Sequence, residues 1–69
     1  MEKQISVKAA RVDAGFTQSA MAKALRISAP TYWKLEKNPE KMSISMANEF
    51  AKIVDRSVES IYFLPQDSN

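Results

Sequence analysis

The stretch Arg11 to Glu36, RVDAGFTQSAMAKALRISAPTYWKLE, decides how this chain is read. It holds two short segments of helical spacing with a three- or four-residue break between them. Thr17 is a good N-cap for the first, which runs from Gln18 to about Leu25 with Met21, Ala22 and Leu25 on its inward stripe. Arg26-Ile27-Ser28 forms the break. Ser28 caps the second segment, and Pro30 is tolerated because an N–H in a first turn has no acceptor within its own helix. That segment continues through Glu36 with Tyr32 and Leu35 turned inward. Ala22 is small where a second helix must cross it closely, and Ile27 plugs the angle between the two. The pattern is that of a helix-turn-helix, whose second helix has an outer face free to enter a major groove about 12 Å wide.

On the N-terminal side, Val7, Ala10, Arg11 and Ala14 predict a first helix over Gln4 to Ala14, stopped by Gly15 in left-handed geometry. Phe16 follows as an apolar plug. On the other side, Lys37-Asn38-Pro39 ends the third helix, since the residue before proline is pushed out of helical geometry. Residues 38–43 form a polar loop. Ser43 or Ser45 caps a fourth helix reaching about Asp55, with Met46, Ala47, Phe50, Ile53 and Val54 as its apolar face. Ser57 caps a last short helix, Val58 to Phe63, closed by Pro65. No stretch alternates cleanly enough for a strand. The expectation is a compact, all-α, five-helix domain over residues 1–65, with a frayed tail at 66–69.

Composition narrows the function. Sixty-nine residues allow one domain, and with neither cysteine nor histidine there is no disulfide and no ordinary zinc site. Gly15 is the single glycine, so phosphate loops and dinucleotide fingerprints are absent, and the eight acids are scattered singly. Catalysis is not expected, nor a cofactor, a metal or a small-molecule substrate; a binding module remains. No apolar run approaches the roughly 18 residues that cross a bilayer. Met1-Glu2-Lys3-Gln4 lacks the apolar stretch of a signal peptide, so the expected location is the bacterial cytoplasm, away from any membrane. A net charge of +2 permits nucleic acid without demanding it.

In order and spacing, Arg11 with Gly15, Thr17-Gln18, Met21-Ala22, Leu25, Ile27-Ser28, Thr31-Tyr32 and Lys34-Leu35-Glu36 resemble the lambda-repressor-like, Cro/CI-type helix-turn-helix domains of phage and bacterial regulators. Residues 50–54 and 57–63 look like that family's fourth and fifth helices, so the resemblance covers residues 4 to 64. It implies a five-helix fold, frequent homodimerisation and a part in a transcriptional switch. By that resemblance Gln18 grips a DNA phosphate at the start of helix two, and Ala29, Pro30, Trp33 and Lys34 occupy the base-reading positions. Lys37 and Lys41, in a lengthened loop, are expected near phosphates, diluted by Glu36 and Glu40.

Two departures shape the expected function. Arg26 stands where the family prefers glycine, which implies either a left-handed residue at a cost of about 1 kcal/mol or a different turn. Ala29, Pro30 and Trp33 also lack the paired donors and acceptors that match base edges, each good pair being worth about 1–3 kcal/mol of discrimination. Trp33 is either a core residue or, as preferred here because Tyr32 and Leu35 already fill the inward stripe, an exposed one beside Ala29 and Pro30. Two readings stay open. One is a small repressor-like regulator binding operator DNA; the other is an antirepressor of the same fold, covering a cognate repressor with an apolar helix-three surface. A toxin–antitoxin antidote or an enzyme-associated adaptor would also employ this fold. Residues Ile61 to Leu64 are expected in the core and in part of a dimer seam, while Lys8, Lys23, Lys52 and Arg56 read as solvated faces.

Overall fold

The computed structural model describes residues 3–63. The chain opens with a two-residue strand β1 (Ile5–Ser6) and continues through α1 (Val7–Asp13), α2 (Gln18–Leu25) and α3 (Ala29–Lys37). A 3-10 turn (Pro39–Lys41) leads into α4 (Ile44–Ile53). A second 3-10 turn (Val58–Ser60) then runs into β2 (Ile61–Tyr62). β1 and β2 pair in parallel, Ile5 opposite Ile61 and Ser6 opposite Tyr62. The described residues are therefore mostly helical. No helix among them is long and apolar enough to cross a membrane.

Four hydroxyls start the four α-helices of the described residues. Ser6, Thr17, Ser28 and Ser43 accept from the backbone N–H of Ala9, Ala20, Thr31 and Met46, at 3.0, 3.0, 3.3 and 3.0 Å. The choice between Ser43 and Ser45 thus falls on Ser43. Three helices end alike. Phe16 donates back to the carbonyl of Arg11, Ile27 to that of Ala22 and Arg56 to that of Ala51. In each case the residue just before the donor is left-handed: Gly15 (φ 84°), Arg26 (φ 63°) and Asp55 (φ 57°). This closure satisfies carbonyls that a helix end otherwise leaves orphaned. At Gly15 the requirement is one of backbone angle alone, because a Cβ built there meets nothing within 4 Å.

Val7, Ala10, Met21, Ala22, Leu25, Tyr32, Phe50, Ala51, Val54 and Ile61 form the core. α2 lies at the centre, packed on both α3 and α4, and α1 lies against the strands. Phe16 and Ile27, the apolar residues directly after two of the left-handed stops, pack onto the core as the sequence pattern required. Phe50 meets Phe63 edge to face, with ring centroids 6.4 Å apart.

The structure corrects several expectations. Gln4 precedes the first helix, and Ile5–Ser6 is strand, because Ser6 caps α1 from extended geometry. Ala14 is the C-cap of α1 and is exposed, since the helix ends before a further inward turn. The expected fifth helix over Val58 to Phe63 is one 3-10 turn followed by β2. Ser57 makes no side-chain cap there. Its carbonyl instead accepts the Ser60 hydroxyl at 2.8 Å, and Ile61 is held extended by pairing with Ile5. Leu35 is only half-buried and lies outside the core. Leu64, Pro65 and the tail at 66–69 lie outside the described residues.

Candidate functional site

α3 carries most of the expected site. Pro30, Lys34 and Lys37 on that helix are exposed, as is Lys41 in the following 3-10 turn. Trp33 is 48% exposed, so its indole stands on the surface as preferred. Ala29 departs from that picture. It is half-buried and packed against the core, because the first turn of α3 lies over α2. The apolar outer patch therefore consists of Pro30 and Trp33, without Ala29.

Glu36, the only acid of α3, points the other way, with a side chain just 6% exposed. Four donors converge on its carboxylate. Arg11 donates from Nε to Oε2 at 2.7 Å and from its NH2 nitrogen to Oε1 at 3.3 Å. Tyr32 donates its hydroxyl to Oε2 at 2.6 Å, and Gln18 its amide to Oε1 at 2.8 Å. The remaining terminal nitrogen of Arg11 donates to the Phe16 carbonyl at 2.7 Å. One carboxylate thus ties together α1, α2 and α3, and Arg11 itself adds the α1–α2 loop. No buried side-chain nitrogen or oxygen among the described residues lacks a partner.

The electrostatics follow from this arrangement. Burial pushes the Glu36 carboxyl upward, and the hydrogen bonds from Arg11, Tyr32 and Gln18 more than offset it, leaving its pKa below the ordinary value. Tyr32 is raised, first by burial and then by donating to Glu36. Arg11 is raised chiefly by its hydrogen bond to Glu36. With its single acid buried against an arginine, α3 presents an outer face whose charges are all positive. The basic excess is also concentrated along the chain. Residues 3–42 hold eight Lys/Arg against three Asp/Glu, and residues 43–63 two against three.

Gln18, Trp33 and Lys37 come together with Lys8 and Glu36 around one open groove of about 390 Å³. Pro30, Lys34 and Lys41 do not line it. Lys8, read as part of a solvated face, is exposed and also lines the edge of this groove. The Arg11–Glu36 pair also escaped the sequence reading. Its signal was present, because Arg11 follows Ala10 and lies four residues after Val7, on an inward face where an unpaired guanidinium is not tolerated. Glu36 likewise lies one turn beyond Tyr32. Arg56, also read as a solvated face, is half-buried and pairs with Asp13 at 2.7 Å. Among the described residues, no three His, Cys, Asp or Glu side chains gather where they could hold a metal.

No family model, curated protein or solved structure matches the chain.

Proposed function

We propose that the chain is a DNA-binding transcriptional regulator of the lambda-repressor-like, Cro/CI type. In this reading α2 and α3 are its helix-turn-helix, and α3 enters the major groove of operator DNA. One observation carries the reading: the outer face of α3 is free of acid, because Glu36 is turned inward and held by Arg11 while Lys34 and Lys37 stay exposed. The left-handed Arg26 supports it, since a single such residue lets α2 stop and α3 set off within three residues. Lys34 contacts a base or a phosphate, and Lys37 and Lys41 take phosphates. Gln18 already gives one amide hydrogen to Glu36, so its second hydrogen is the one available to a phosphate. Pro30 and Trp33 offer apolar contact and little base discrimination.

The test is a titration of labelled duplex DNA from the region flanking the chain's own gene, followed by anisotropy at several salt concentrations. Binding that weakens steeply with salt is expected. Lys34→Ala should lower the slope of log K against log salt by about 0.9 if it removes one phosphate contact. Salt-insensitive or undetectable binding overturns the reading.

A second reading is favoured by the exposure of Trp33 beside Pro30, since tryptophan is over-represented among interface hot spots. The same face would then cover a cognate repressor, and Trp33→Ala would abolish that complex with the fold intact. The burial of Ala29 makes this patch smaller than the sequence implied.

A further inference from the structure

We propose that the groove between α1 and α3 seats one phosphodiester of duplex DNA, with the Lys8 and Lys37 amines on its oxygens and the adjoining deoxyribose against the Trp33 indole. The inference rests on the DNA-binding reading above and assigns Trp33 to the DNA backbone, where it reads no base. The walls supply the chemistry. Lys8 and Lys37 are two exposed amines lining a single open groove, and Trp33 is a flat apolar ring between α3 and solvent. A phosphodiester has matching parts, one negative charge on two oxygens flanked by apolar sugar.

The floor of the groove does not repel it. Glu36 lies there, but Arg11, Tyr32 and Gln18 occupy its oxygens, and the guanidinium offsets its charge. Those bonds also fix the groove's shape, since α1, α2 and α3 are joined through the one carboxylate. Lys37 belongs both to this groove and to α3, where Lys34 stands exposed one turn before it, so the positive charge of the groove extends onto the helix. A run of positive charge longer than the groove favours the repeating phosphates of a nucleic acid over an acidic peptide as the occupant.

Trp33 is the only tryptophan of the chain, so its emission reports this groove alone. The full chain is titrated with a labelled duplex of about 20 base pairs, reading duplex anisotropy and tryptophan emission together. Unrelated duplexes and a poly-glutamate peptide are titrated in parallel. Emission is expected to shift in step with anisotropy, and to the same extent for duplexes of different sequence. Lys8→Ala should lower the salt slope by about 0.9, which makes the loss of affinity about 3-fold larger at 50 mM than at 200 mM salt. Lys52→Ala, on exposed α4 surface outside the groove, should change the slope less. Far-UV circular dichroism checks that each variant keeps its fold. If anisotropy rises while emission and the Lys8→Ala slope stay unchanged, the groove proposal fails and DNA binding stands. If anisotropy does not rise, both fail. An emission shift with poly-glutamate but none with duplex overturns the proposal in favour of a protein occupant.

Discussion

Tyr32 and Glu36 lie one turn apart on α3, and the phenol of the first donates to the carboxylate of the second at 2.6 Å inside the fold. The pair is bonded to Arg11 on α1, so one helix is anchored by the charge it hides. A hydrogen bond to a charged group is worth about 1.5–3 kcal/mol. Tyr32→Phe keeps the ring in the core and removes only that bond. It should cost about 2 kcal/mol, read from the urea midpoint with Trp33 emission as the probe.

Arg11 and Glu36 should show strong non-additivity. Removing one partner of a buried ion pair costs about 3–5 kcal/mol because the other is stranded, whereas replacing both by apolar residues is often close to neutral. A domain of this size has only about 3–10 kcal/mol in total. Arg11→Met or Glu36→Leu alone should therefore come close to unfolding it. The double variant should recover the part of the loss that comes from a stranded charge, but not the part that comes from the Tyr32 hydroxyl, the Gln18 amide and the Phe16 carbonyl, which it leaves without their partners. A double-mutant cycle in denaturant measures the difference, and simple additivity would refute the pairing.

Stability should fall in acid. The Glu36 carboxyl is held below its ordinary value in the folded chain, so the unfolded chain takes up the proton first as pH drops. The contribution is complete above the ordinary glutamate range and is lost as pH falls through the folded-state pKa. Tyr32, raised by burial and by Glu36, acts at the other end. Its contribution is complete below about pH 10, the ordinary tyrosine value, and declines above it as the unfolded phenol ionises. Urea midpoints measured against pH should show both limbs. Glu36→Gln should flatten the acid limb, and Tyr32→Phe the alkaline one.

Two of the left-handed stops, Arg26 and Gly15, predict opposite signs for gaining and for losing a glycine. An L-residue in that conformation costs about 1–2 kcal/mol, while glycine carries an entropic cost of about 0.5–1 kcal/mol. Arg26→Gly should therefore stabilise by about 0.5–1 kcal/mol, and Gly15→Ala should destabilise by about 1 kcal/mol. Thermal melts of the two variants check this. Equal effects of one sign would mean that the backbone angles at these positions are not what decides.

The helices between residues 17 and 37 were legible because their signals are local. Thr17 and Ser28 cap them, Gly15 stops the helix before, and Pro30 sits where its missing N–H does no harm. The strands were not legible, since two residues cannot show alternation and their partner lies at the far end of the chain. Ile61 reads as a helical core residue until Ile5 is placed beside it. At the candidate site, the exposure of Trp33 followed from Tyr32 filling the inward stripe. The burial of Ala29 did not, because it depends on how closely α2 crosses the first turn of α3. Lys8 and the Arg11–Glu36 pair were hidden for the same reason: they meet partners on other elements, and spacing along one helix carries no record of them.

The parallel pairing of Ile5 with Ile61 gives the domain a latch that only its two ends can close. Each helix is bonded between neighbours in the chain, but this pairing joins residues from opposite ends of the described segment, and the chain entropy lost on closing so long a loop makes it a costly contact. Native-state hydrogen exchange should accordingly find the amides of this ribbon opening well before those of α2. A lesion in either strand would release the same clasp, and α3 would stay folded while it did so.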